Sequence, residues 1–414
     1  MIERSDRQSQ KDRLRRGMVD SGAEKADYRE GKKRPSLRVI LIIGLIIIAA
    51  CGGIYLFLST RHMTDYSIVW EKQDTAMTDS GTTFKGYEIF SGGIINYSKD
   101  GASYSDKKGD AVWERSYQMN SPRAFVREGY AAIADIGGTQ LYIFDTETNT
   151  GAVETSYPLV DAAVSAEGVV YTVLTDGNAE YINAYRADGS PIDLSVKSLM
   201  TGDGYPLDIS ASPSGSQLIT AYVGVNGSSI GSSVVFRNFD DIGQNADARR
   251  IVGGFADEFE GHYVGKVNFS TEDHSQAFFD GGIVFFSTRV LTSPEVIARA
   301  DFDDEIRSVA CSDKYVAVIL SQDNAEMPYR LAVFNADGGI KGEASFDMQY
   351  TGFDICGNEI YIYNDSELRI YSAGGNEKAD IVSEDFSFSK VVRTGLGSEY
   401  MIADGNDLIC IRLQ

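Results

Sequence analysis

The chain has 414 residues, with 38 Lys+Arg against 60 Asp+Glu and a net charge of −22. Such acidity excludes nucleic acid as a partner, because a polyanion is repelled by a surface of the same sign. Four cysteines and three histidines, with no Cys-x-x-Cys or His-Glu-x-x-His pattern, leave little from which to build a zinc site.

Residues 1–38 carry 12 Lys+Arg against 7 Asp+Glu, about +5, so the rest of the chain holds about −27. With few large apolar side chains this segment reads as a basic, disordered tail. From Val39 to Leu58 run 20 uncharged residues (VILIIGLIIIAACGGIYLFL), long enough as a helix to cross the roughly 30 Å hydrocarbon core. Lys32, Lys33, Arg34 and Arg38 precede them and only Arg61 and His62 follow closely, which places the N-terminus in the cytoplasm and the remainder outside. A cleaved signal peptide is the rival reading, but its apolar region is usually shorter. Ile48-Ala49-Ala50-Cys51 also matches a bacterial lipobox, which would lipidate Cys51; the apolar run continues to Leu58, so an uncleaved helix is the expectation.

A juxtamembrane linker, residues 59–66, leads into an outer domain, 67–414. There the texture becomes short alternating strands separated by Gly, Asp and Asn turns, the pattern of an all-β domain. Third strands and their turns repeat: LYIFDTETNTG from Leu141, INAYRADGS from Ile182, LAVFNADGG from Leu331 and LRIYSAGGN from Leu368. First strands begin near Phe84, Arg123, Asp161, Asp208, Lys266, Arg307, Gly352 and Lys390, at the spacing of propeller blades. The expected fold is therefore a β-propeller of eight blades, with seven blades or an open arrangement as alternatives. The last unit has room for three strands only. Ser67–Lys72 (SIVWEK) resembles the fourth strand Ala111–Arg115 (AVWER), so residues 67–72 are expected to complete the last blade and close the ring.

Tyr104–Trp113 (YSDKKGDAVW) is similar to a quinoprotein-type blade ending, and Ser212–Leu218 (SPSGSQL) resembles the hairpin of WD40-like propellers. Together with the N-terminal helix, TGDGYPLDISASPSGSQL from Thr201, VVFRNFDDIGQN from Val234 and RIVGGF from Arg250, the outer region resembles an uncharacterised family of single-pass membrane-anchored propeller proteins of Gram-positive bacteria. The resemblance implies a fold and a location and no activity.

Catalytic patterns are scarce. Ser105-Asp106-Lys107-Lys108 fits Ser-x-x-Lys but falls on a hairpin turn, and a quinone site lacks its vicinal disulfide. Asp145–Gly151 spaces oxygens as a calcium loop would, with the glycine one place late; an ordinary hairpin turn is the expectation, as is a solvated acidic loop at Asp301–Glu305. Cys311, Cys356 and Cys410 sit beside predicted strands and read as buried free thiols. No cofactor and no metal site are expected.

The expected function is non-enzymatic binding or scaffolding of an envelope protein or glycan. The alternative is a hydrolase whose carboxylates come from neighbouring blades around the central channel; convergent carboxylates of raised pKa would favour it. For binding, the long connection in the fourth unit carries the candidate residues Arg237, Asn238, Asp240, Asp241, Gln244, Asn245, Arg249 and Arg250. The competing reading is that they cap strand ends and brace an enlarged blade.

Overall fold

In YAAIAD, Tyr130–Asp135, alternate residues face opposite ways, yet nearly all are apolar. Ala131 and Ile133 pack on one neighbouring sheet and Ala132 and Ala134 on the other. A strand apolar on both faces requires a sheet on each side, and the chain meets this by repeating the sheet around a ring.

The computed structural model describes Gly44 and residues 62–73, 86–199, 201–226, 229–246, 249–395, 397–405 and 407–414. Eight four-stranded antiparallel sheets form a β-propeller. Blades 1 to 7 span residues 86–116, 122–154, 159–198, 205–255, 264–301, 306–346 and 352–382; blade 8 joins 390–413 to the strand Tyr66–Gln73. The ring thus closes as expected, with eight blades: Tyr66 lies opposite Leu413, Trp70 opposite Cys410 and Gln73 opposite Asp407. The ring-bound chain begins earlier than residue 67. Met63 exchanges backbone hydrogen bonds of 2.9 and 3.0 Å with Lys378 and Asp380 of blade 7, so the supposed linker straps two blades together.

Each blade meets the next in a hydrophobic seam. Between blades 4 and 5 it is built on Phe236, Phe269, Phe279 and Phe286, each worth about 1.5–3 kcal/mol of burial. Fourth strands also lean on the following blade's outer turn. Trp113 stacks on Phe144 at 4.3 Å and donates its indole N–H to the carbonyl of Asp145 at 3.1 Å.

The expected span from Val39 to Leu58, Gly44 excepted, and the tail before it lie outside the described residues, as does Cys51. Among the described residues no helix is long and apolar enough to cross a membrane. Cys311, Cys356 and Cys410 are free thiols, the last one buried and the other two partly so.

Candidate functional site: the channel mouth and the interblade face

The fourth-unit connection divides into two kinds of residue. Arg237 and Asn238 end the third strand of blade 4, Ser229–Asn238, and are buried. The Arg237 guanidinium lies over the Tyr222 ring at 5.5 Å and donates to the Thr220 hydroxyl at 3.3 Å. The side-chain oxygen of Asn238 accepts the N–H groups of Asp240 and Gly243, which turns the chain into a short helix, Asp241–Ala246. Gly243 packs so tightly on the Asn238 carbonyl that a side chain there would clash. Arg250 holds the far end, donating to the Phe239 carbonyl at 3.0 Å. These three residues brace the blade. Asp241, Gln244 and Asn245 are exposed, and Arg249 is paired with Asp203 at 2.5 Å. Asp145 accepts the N–H groups of Glu147 and Thr148 at 2.7 Å each, the geometry of an ordinary hairpin turn.

The first strands of neighbouring blades pack side by side and line the central channel. At one repeat position they carry Glu88, Arg123, Asp161, Asp208, Lys266, Ser308, Asp354 and Lys390. The side chains interlock. Lys390 lies 2.9 Å from Asp354 and 3.5 Å from Glu88; Asp354 also accepts the Tyr363 hydroxyl at 2.6 Å. Burial opposes the charge of Lys390, but the two carboxylates outweigh it and hold its pKa above the usual lysine value. Burial raises Glu88 and Asp208. Asp208 accepts the Val267 N–H at 2.7 Å. Asp161 is pushed up to about 7, first by burial and then by the Asp208 carboxylate, with Arg123 opposing at 3.4 Å. Its second oxygen is buried and has no hydrogen-bond partner among the described residues. Further along the channel Arg127 reaches from blade 2 to blade 5, donating to the Phe269 carbonyl at 2.7 Å. Burial pushes the Cys311 thiol nearby up to about 12, so it is a poor nucleophile.

Sequence reasoning placed first strands at five of these positions without noting that the same repeat position is charged almost every time. That regularity was the available signal. Among the described residues there is no group of three or more ligating side chains placed to hold a metal.

Because strands alternate in direction, the turns between second and third strands share one face with the connections between blades. This interblade face is the apolar one over blades 3 to 5. Tyr157, Leu199, Leu207, Val225, Ile230 and Tyr263 are each at least 40% exposed there. A cleft of about 790 Å³ is framed by the loop at Gly202–Gly204, the hairpin carrying Val225 and Ile230, and the segment 256–261.

The propeller is similar to Chaetomium thermophilum Sqt1, with a TM-score of 0.54 at 11% identity over 83% of this chain and 98% of that one. It is similar to the Dos1 propeller, with a TM-score of 0.52 at 10% identity over 84% and 95%. It is also similar to Chaetomium thermophilum Sqt1 bound to the N-terminus of the ribosomal protein L10, with a TM-score of 0.50 at 11% identity over 78% and 94%. At such identities the likeness concerns the fold alone. No curated protein matches the sequence. Residues 59–413 match the family described as "Family of unknown function (DUF5711)", and the chain belongs to that family.

Proposed function

We propose that this propeller is a non-enzymatic binding module, held at the outer surface of the cell membrane by the segment from Val39 to Leu58, that engages an envelope protein through its interblade face. The observation carrying this reading is the set of exposed apolar side chains on the interblade face over blades 3 to 5, two of which, Val225 and Ile230, line its cleft. Exposed apolar side chains gathered on one face of a folded domain favour an interaction site there. Val225 and Ile230, the most exposed apolar side chains on this face, are aliphatic and suit a protein partner. Sqt1 with the N-terminus of L10 bound is one case of this fold holding a protein segment.

Two experiments test the reading. Val225→Asp combined with Ile230→Asp should abolish chemical cross-linking to a membrane-fraction partner while leaving the melting temperature unchanged; undiminished cross-linking would exclude this face. Protease added to intact cells should degrade the propeller and spare the N-terminal tail, and protection of the propeller would reverse the orientation.

A carboxylate hydrolase is the second reading, favoured by the neighbouring Asp161 and Asp208 with their raised pKa values. Hydrolysis of an envelope glycan or peptide that Asp161→Asn eliminates would establish it.

A further inference from the structure

Across the ring from blade 4, the interblade face around the channel mouth carries two polar hollows that meet at Thr351. One, of about 470 Å³, lies between the first strand of blade 7 and those of blades 8 and 1; the other, of about 420 Å³, lies between blades 7 and 6. The repeat supplies their walls. The residue just before the channel position is Arg307 in blade 6, Phe353 in blade 7, Ser389 in blade 8 and Tyr87 in blade 1, and each lines one of the two hollows. Half-buried rings stand in both, Phe353 and Tyr87 in the larger and Tyr329 and Tyr350 in the smaller.

The three tyrosines are already held in place. The Tyr350 and Ser308 hydroxyls are 2.8 Å apart, Tyr329 donates to the side-chain oxygen of Gln349 at 2.8 Å, and Tyr87 donates to the Gly405 carbonyl. Rings fixed beforehand lose little freedom when a ligand lands on them.

The charges narrow what that ligand is. Lys390 is committed to Asp354 and Glu88, and Arg307 lies 3.2 Å from Glu305, so every cation in the two linings already has a carboxylate partner. An anionic ligand is repelled further by the net charge of −22. An apolar ligand would strand the polar lining without partners. Among the described residues, four exposed lining groups make no hydrogen bond: the Thr351 and Ser389 hydroxyls, the Asp365 carboxylate and the Gln349 side-chain NH₂. Together they offer donors and acceptors to neighbouring hydroxyls, beside rings on which the apolar C–H faces of a sugar can pack.

We propose that this double hollow binds a neutral oligosaccharide, with a sugar unit in each half and Thr351 between them. The protein-binding reading concerns blades 3 to 5, and the two sites stand or fall separately.

The test titrates the full chain, in micelles of a polyoxyethylene detergent that has no sugar head group, with chitotetraose and with cellotetraose by calorimetry. Saturable binding of at least one, little changed by salt, is expected. Tetragalacturonate, which adds a carboxylate to each ring, should bind at least about tenfold more weakly. Thr351→Arg fills the meeting point of the hollows, and Gln349→Ala with Asp365→Ala removes two of the free groups. Each should weaken binding about tenfold with the melting temperature unchanged, since all three positions are exposed. Val225→Asp with Ile230→Asp should leave it unaltered. No binding of either neutral sugar up to about 10 mM would overturn the proposal, as would indifference to both Thr351→Arg and the double alanine variant. Equal or tighter binding of tetragalacturonate would overturn it too, by showing that charge governs the site. So would an alternating lysine–valine octapeptide that Thr351→Arg releases while neither sugar binds, which would mark a peptide site instead.

Discussion

The Trp70 ring lies directly against the bare α-carbon of Gly109, leaving no room for a side chain. Trp70 belongs to the strand that closes blade 8, and Gly109 sits at φ +72 in the outer turn of blade 1. Lys72 secures the same joint, donating to Asp110 at 2.7 Å and to the Lys108 carbonyl at 2.8 Å. Gly109→Ala would strain the backbone and displace the ring, so a loss of about 2–4 kcal/mol is expected. Urea unfolding checks this. Trp70→Ala with Gly109→Ala should cost less than the two single losses added, because the clash disappears with the ring.

Deletion of residues 62–73 removes both the closing strand and the Met63 strap. The whole edge of Asp407–Leu413 is then exposed next to a seam that includes Ile409, Ile411 and Leu413. A markedly lower melting temperature and concentration-dependent aggregation should follow, read by scanning calorimetry and light scattering.

Asn238→Ala should destabilise the protein by about 1–2 kcal/mol, because the side chain caps the helix Asp241–Ala246 from a fully buried position. Gln244→Ala, on the exposed side of that helix, should change the urea midpoint little.

Asp161 provides a pH-dependent test. Its pKa in the folded chain is about 7, above the ordinary 3.8, so between those values the folded state holds the proton more tightly than the unfolded chain. Stability from this group is therefore lost as pH rises through that window. Asp161→Asn should gain on the parent protein by up to a few kcal/mol between about pH 4 and about pH 8, measured as the difference in urea midpoints.

Periodicity and turn chemistry are local, and they sufficed for the architecture. Eight units were countable because each repeats its own alternation and its own Asp or Gly turn, and closure was legible because SIVWEK and AVWER share a tryptophan that leans on the following blade at two seams. Side-chain destinations are not local. Arg237 and Asn238 belong to the strand before the connection, and their burial depends on Thr220, Tyr222 and the returning Arg250. Asp161 and Asp208 come from different repeats, and only the ring brings them close enough for each to feel the other's charge. The hairpin of blade 4 outruns the strands on either side of it, a relation among four strands that no single strand's sequence contains.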